Sequence, residues 1–322
     1  MKIAIFFSKL LLDSFRDTRK VCKYFKLKEY NNFLISFKIF YIKFFYSFEI
    51  IRSANKIKKL THNYSYKFLK PKNNVYNISK AVEDLDKEGH TQIFDIDERL
   101  INKITNIALN SQDFDKKKLK DNENLNNLKI KNDEEISTYT NRLKKSHISR
   151  LTTTIDLKKD SELTELLFSD EILKIAESYL NTKTISVNAT FFISNPLDIA
   201  EEEKYRNAQY FHWDNDFTKF FKLYMYLNDV DEDTGPHIFV PKTHKKKISS
   251  HKLCRLYSDK NILENYEKVK KFTGKKGSAF FVDGYGLHKG ETPKKNYRLM
   301  LNVHYGRGNI LYSKNDKIIK LN

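Results

Sequence analysis

Cysteine is nearly absent from this chain, with two in 322 residues, Cys22 and Cys254. They lack the paired spacing of a zinc site and are too few for a disulfide framework, so neither device staples the fold, and a reducing cytoplasm is the simplest compartment to expect. Also missing is an uninterrupted apolar run of the about 20 residues that a spanning helix needs. The nearest approach, F-L-I-S-F-K-I-F-Y-I-K-F-F-Y-S-F at 33–48, is broken by Lys38 and Lys43. The apolar stretch after Met1 is broken by Lys9, and no small-x-small cleavage site follows. Neither a transmembrane helix nor a signal peptide is expected. No G-x-x-x-x-G-K-[ST] loop and no internal repeat occurs, which leaves phosphoryl transfer on such a loop unsupported.

Apolar material is plentiful, at 40% hydrophobic and 14% aromatic residues. A chain of this composition and length buries a sizeable core as one large domain or two ordinary ones. The formal net charge of +18 is unevenly spread, because residues 1–75 hold 17 Lys/Arg against four Asp/Glu and so carry +13 of it. Composition changes at Lys70-Pro71-Lys72-Asn73-Asn74, and a boundary is expected there. It separates a basic, aromatic, helical extension over 1–75 from a domain over 76–322. The extension has two readings: a module lying on an anionic membrane surface, peripheral to it, or helices whose aromatics pack on the domain while the lysines stay in water. Nucleic-acid binding has no recognised motif behind it.

Leu100, Ile101, Ile104, Ile107 and Ala108 fall at helical spacing after an acidic start, which predicts a helix over 98–109. Residues 115–135 are charged and Asn-rich, as in a solvated loop, and a second helix is expected over 161–180. From residue 184 the texture is that of short strands: T-I-S-V-N-A-T-F-F-I-S, A-Q-Y-F-H, F-F-K-L-Y-M-Y-L, H-I-F-V-P, S-A-F-F-V-D and Y-R-L-M-L-N-V-H-Y. Such runs between turn residues predict a mainly β sandwich or barrel with flanking helices. The polar segment 195–209 reads as a lid or as a passive surface loop.

Within this β region, Q-Y-F-H-W-D-N-D places His212 and Asp214 two apart, on one face of an extended strand. With nine His and 22 Asp in the chain, one such pair arises too easily by chance to carry meaning alone. A metal site would need a third ligand from another strand. Among His237, His244, His251, His288 and His304, context favours His288, in D-G-Y-G-L-H-K-G just beyond S-A-F-F-V-D, where glycines permit a close turn. His244 and His251 lie in polar, lysine-rich surroundings and read as exposed loop residues. Two His and one carboxylate on one side of a metal make the facial triad of non-haem Fe(II) oxygenases, with positions left open for a keto acid and O2. Arg298, ten residues past His288, is the right type to grip a distal carboxylate with a two-pronged hydrogen bond. Lys222, Tyr224 and Tyr226 share one strand face, as do Arg298, Met300, Asn302 and His304, and Asn188 and Thr190 alternate with apolar neighbours.

The runs F-H-W-D-N-D, K-L-Y-M-Y-L-N-D-V-D-E-D-T-G-P-H-I-F-V-P-K-T-H-K and G-S-A-F-F-V-D-G-Y-G-L-H-K-G-E-T-P-K-K-N-Y-R resemble the phytanoyl-CoA dioxygenase family. The resemblance covers about 205–306, extends weakly back to 87–104, and leaves 1–75 uncovered. It implies a double-stranded β-helix core (jelly-roll or cupin-like) over about 184–306. It also implies an Fe(II)- and 2-oxoglutarate-dependent dioxygenase acting on a small organic substrate. His212, Asp214 and His288 would ligate iron and Arg298 would hold the C5 carboxylate of 2-oxoglutarate, with Tyr224 or Asn302 as a hydrogen-bond partner of the keto acid. Family members that halogenate carry a small residue in place of the carboxylate, so Asp214 implies hydroxylation. His237, beside the G-P-H turn, is expected in packing or pocket lining. The competing reading is a catalytically silent β-helix binding or scaffold protein attached through its basic segment.

Overall fold

The computed structural model describes residues 77–111, 113–114, 125–157, 161–214, 219–247, 256–307 and 317–320. The basic extension expected over 1–75, together with His251, Cys22 and Cys254, lies outside the described residues. The first helix, α1 (Ile78–Lys87), starts at Asn77, whose side chain accepts a hydrogen bond from the Lys80 N–H, and buries Ala81 and Leu85. After the short strand β1 (Phe94–Asp95), α2 (Glu98–Asn110) begins at Asp97, whose carboxylate accepts from the Leu100 N–H. Both caps satisfy an N–H that has no partner within its helix. As the spacing predicts, α2 buries Ile101, Ile104 and Ala108, with Leu100 and Ile107 partly buried against the same core.

Strand β2 (Asp113–Phe114) precedes a short 3-10 turn at Leu125–Leu128, and then come α3 (Ile136–Lys145) and β3 (Arg150–Ile155). The predicted single helix over 161–180 is two, α4 (Ser161–Leu167) and α5 (Asp170–Leu180). Ser169, at ψ 151°, leaves helical backbone between them, and its N–H bonds the nearer Leu166 carbonyl. The break re-aims the second half, so that Leu163, Leu167, Phe168, Ile172 and Ile175 are all buried in one core.

The remaining elements are β4 (Thr184–Ser194), α6 (Glu201–Arg206), β5 (Phe211–His212), β6 (Phe220–Tyr226), β7 (His237–Phe239), β8 (Leu256–Tyr257), α7 (Asp259–Asn265), β9 (Lys270–Phe272), β10 (Ser278–Val282), β11 (His288–Gly290), β12 (Arg298–Gly306) and β13 (Lys317–Lys320). They form two antiparallel sheets facing each other in a double-stranded β-helix. The larger runs β1-β10-β6-β12-β4-β3-β2, with β13 added on β4, and the smaller runs β8-β5-β11-β7-β9.

Side-chain alternation gives the larger sheet two distinct faces. Outward, Phe221, Leu223 and Met225 of β6 and Leu299, Leu301, Val303 and Tyr305 of β12 join the helices in the main core. Each fully buried large apolar side chain of this layer contributes about 1.5–3 kcal/mol. Inward, Tyr224, Tyr226, Phe280, Val282, Met300 and Phe192 meet Phe239 and Phe272 of the smaller sheet. Among the described residues no helix is long and apolar enough to cross a membrane. The segment 195–209, open between lid and surface loop, contains α6 and is tied down by a Ser149–Glu203 hydrogen bond and by Arg150 donating to the Asn207 carbonyl.

Candidate active site

His212 ends β5 and pairs directly with His288, the first residue of β11. Cross-strand partners project on the same face, and here the imidazole centroids lie 4.4 Å apart. Each ring turns Nδ1 toward a backbone carbonyl, His212 to Tyr210 at 2.8 Å and His288 to Gly286 at 2.9 Å. A carbonyl only accepts, so both Nδ1 atoms carry the proton and both Nε2 atoms present a lone pair to the site. Asp214 follows β5 and is fixed by its N–H donating to the Gly284 carbonyl at 2.8 Å. Its carboxylate oxygens stand 3.7 Å from His212 Nε2 and 3.3 Å from His288 Nε2.

One ligand atom from each of the three residues lies within 4.8 Å of the others, and all three residues are buried. This donor set, two neutral imidazoles and one anionic oxygen, suits a divalent transition metal with coordination positions to spare. The turn makes the room: a Cβ on Gly284 would sit 2.5 Å from the Phe220 ring and 3.2 Å from Asp214 Oδ2. Asp283 fixes that turn by accepting from the Tyr285 N–H at 2.8 Å and the Tyr179 hydroxyl at 2.6 Å.

Lys222 is the member of the site that the sequence reading left as a strand-face residue. Its Nζ donates to Asp214 Oδ2 at 2.5 Å, with both side chains buried. Burial alone would push the Asp214 carboxyl up, but the Lys222 ammonium beside it holds it well below the usual carboxylate range. The signal was a lysine at an inward position of F-F-K-L-Y-M-Y, a strand otherwise apolar and aromatic and buried throughout. Opposite it on β12 is His304, whose imidazole burial holds well below its ordinary value and therefore neutral.

Arg298 opens β12 as expected, faces inward and is buried. Among the described residues its hydrogen bonds are long, 3.5 Å from Nη1 to the Glu291 carbonyl and 3.5 Å from Nη2 to Ser194 Oγ, while Nε has no hydrogen-bond partner. A buried guanidinium so poorly satisfied is costly unless a ligand completes it. Gly290 leaves it space, since a Cβ there would lie 2.8 Å from Nη2. Asn302, on the same face, is the cross-strand partner of Tyr224. It donates to Thr190 Oγ1 at 3.1 Å and keeps an unpartnered Oδ1, so Tyr224, Asn302 and Thr190 do line the interior. Asn188 is the strand partner of His304 on that face.

One histidine expectation is corrected. His244 is buried rather than exposed, with Nε2 donating to the Asp86 carbonyl at 3.0 Å. The close approach of Gly89, where a Cβ would lie 2.5 Å from His244 Nδ1, seals the ring in, a tertiary contact that its lysine-rich sequence neighbours conceal. His237 lines the interior as predicted.

Residues 111–294, more than half of the chain, match the model of the phytanoyl-CoA dioxygenase (PhyH) family. The chain is an Fe(II)- and 2-oxoglutarate-dependent oxygenase by class, using O2, and it belongs to the phytanoyl-CoA dioxygenase family. No curated protein sequence matches it. Among solved structures, AviO1 from Streptomyces viridochromogenes Tue57 is similar at 15% identity, covering 73% of this chain and 96% of that one, with a TM-score of 0.43. HygX from Streptomyces hygroscopicus, solved with nickel, 2-oxoglutarate and hygromycin B, is 10% identical over 70% of this chain and 86% of that one, at a TM-score of 0.46. EctD from S. alaskensis with bound Fe is 9% identical over 79% and 90%, at 0.46.

Proposed function

We propose that His212, Asp214 and His288 hold Fe(II), that Arg298 grips the distal carboxylate of 2-oxoglutarate with Tyr224 and Asn302 alongside, and that a small organic substrate is hydroxylated as 2-oxoglutarate is converted to succinate and CO2. The observation that carries this reading is the convergence of three ligand atoms within 4.8 Å, with both imidazoles locked in the tautomer that metal binding requires. The bound metal would supply O2 activation. The chain's own part is orientation and exclusion of water. The Nδ1–H bonds fix the ring planes, the Asp214 carboxylate occupies the position whose filling favours hydroxylation, and the buried walls from Phe192, Tyr224 and Met300 keep solvent from the reacting groups.

A second reading, a silent β-helix binding protein, draws on one observation, the Lys222 ammonium already bonded to a carboxylate oxygen the metal would approach. Anaerobic Fe(II) titration calorimetry separates the two. One Fe(II) per chain is expected, and His212→Ala or His288→Ala should weaken it by at least about 100-fold, since deleting a ligand costs more than the 10–100-fold of an outer-shell change. Unchanged affinity in both variants would remove the site. Metal and 2-oxoglutarate binding with no succinate formed in Fe(II) and ascorbate would favour the silent reading.

A further inference from the structure

Resting on that reading, we propose that His237 is a second anchor for the distal carboxylate of 2-oxoglutarate, donating from Nε2 beside the Arg298 guanidinium. His237 begins β7, and its strand partner across the smaller sheet is Gly290 of β11. Cross-strand partners share a face, and His288, two residues before Gly290, shares it too. So the imidazole of His237 stands on the interior face, its centroid 5.5 Å from that of His288 and 4.5 Å from that of Tyr224.

The space in front of Gly290 is the space Arg298 Nη2 approaches, because a Cβ there would sit 2.8 Å from that atom. His237 and Arg298 thus border one gap from opposite sheets. Each brings a buried nitrogen with no hydrogen-bond partner, Nε2 of His237 and Nε of Arg298. Two orphaned nitrogens beside one gap, Arg298 Nε always a donor and His237 Nε2 a donor in its Nε2–H tautomer, leave an unsatisfied cost that a carboxylate, an acceptor with two oxygens, removes. The gap also has the right place along the site. Register orders this face, with His288 at the metal end and then Gly290, which is paired with His237 and faced by Arg298 Nη2, in the direction a five-carbon keto diacid must span.

The test uses the full chain loaded with Mn(II), with calorimetric titration of 2-oxoglutarate and, separately, of pyruvate, which keeps the keto-acid end and lacks the distal carboxylate. His237→Leu should weaken 2-oxoglutarate about tenfold, equivalent to about 1.4 kcal/mol, the scale of one hydrogen bond to a charged group. Pyruvate binding and Mn(II) affinity should stay within about twofold of wild type. His237→Gln, which keeps an N–H donor, should recover most of the loss. Unchanged 2-oxoglutarate affinity in His237→Leu overturns the inference while leaving the proposed function standing. So does an equal loss for pyruvate, which would mark His237 as merely structural. Failure of the wild-type protein to bind 2-oxoglutarate at all would overturn both together.

Discussion

Strand β12 shows the two sides of this protein one residue apart. Leu299, Leu301, Val303 and Tyr305 point outward into the helix-covered core, while Arg298, Met300, Asn302 and His304 point inward. Both sets are buried, yet the outward set is almost wholly apolar, and its one polar tip, the Tyr305 hydroxyl, donates to the Leu167 carbonyl at 2.8 Å. The inward set leaves Arg298 Nε and Asn302 Oδ1 without partners. Burial therefore has two uses in this sheet. On one face it stabilises, and on the other it holds polar groups in a low-dielectric space at a cost that a ligand offsets.

The strongest way to break this contrast is at Lys222, an inward residue with a partner inside the protein. Lys222→Met leaves the Asp214 carboxylate buried without its ammonium, and the metal-free protein should lose about 3–5 kcal/mol in urea unfolding. Added Mn(II) should restore a large part of that loss, because the cation replaces the missing positive charge at Asp214. A metal-free stability equal to wild type would mean that the pair adds nothing to the fold.

An outward change of somewhat smaller size is Leu301→Ala. It should cost about 2–5 kcal/mol through lost burial and the cavity left behind, with the apparent KM for 2-oxoglutarate unchanged at temperatures where the variant is folded. A raised KM would show that the two faces are not independent.

Arg298→Lys is its inward counterpart and the smallest of the three. Unfolding should move by less than about 1 kcal/mol, while KM for 2-oxoglutarate rises about tenfold, because a point ammonium cannot reproduce the planar fork. Steady-state succinate formation checks it, and a wild-type KM would remove Arg298 from the co-substrate site.

Much of this arrangement was legible beforehand. Alternation in K-L-Y-M-Y and R-L-M-L-N-V-H-Y grouped the residues that share a face, since the period of a strand is two and does not depend on the rest of the fold, while which face looks inward came from the packing of the two sheets. Helix α2 was legible from its apolar spacing and acidic start. The strand β3 was not, because R-L-T-T-T-I has few apolar residues, and its pairing with β4 makes it a strand. His244 was misread because its burial comes from Gly89, far off in sequence.

By itself, the sequence determined which residues of β6 and of β12 share a face, the family, and the chemical types at 212, 214, 288 and 298, since these are properties of residue identity and local period. Tertiary structure alone decided how they meet. It set His212 opposite His288, brought Lys222 onto Asp214, and placed His237 across from Gly290 at the gap beside Arg298. The physical reason is that side-chain convergence depends on strand register and sheet separation. Both are fixed by packing between segments distant along the chain, which no local pattern encodes.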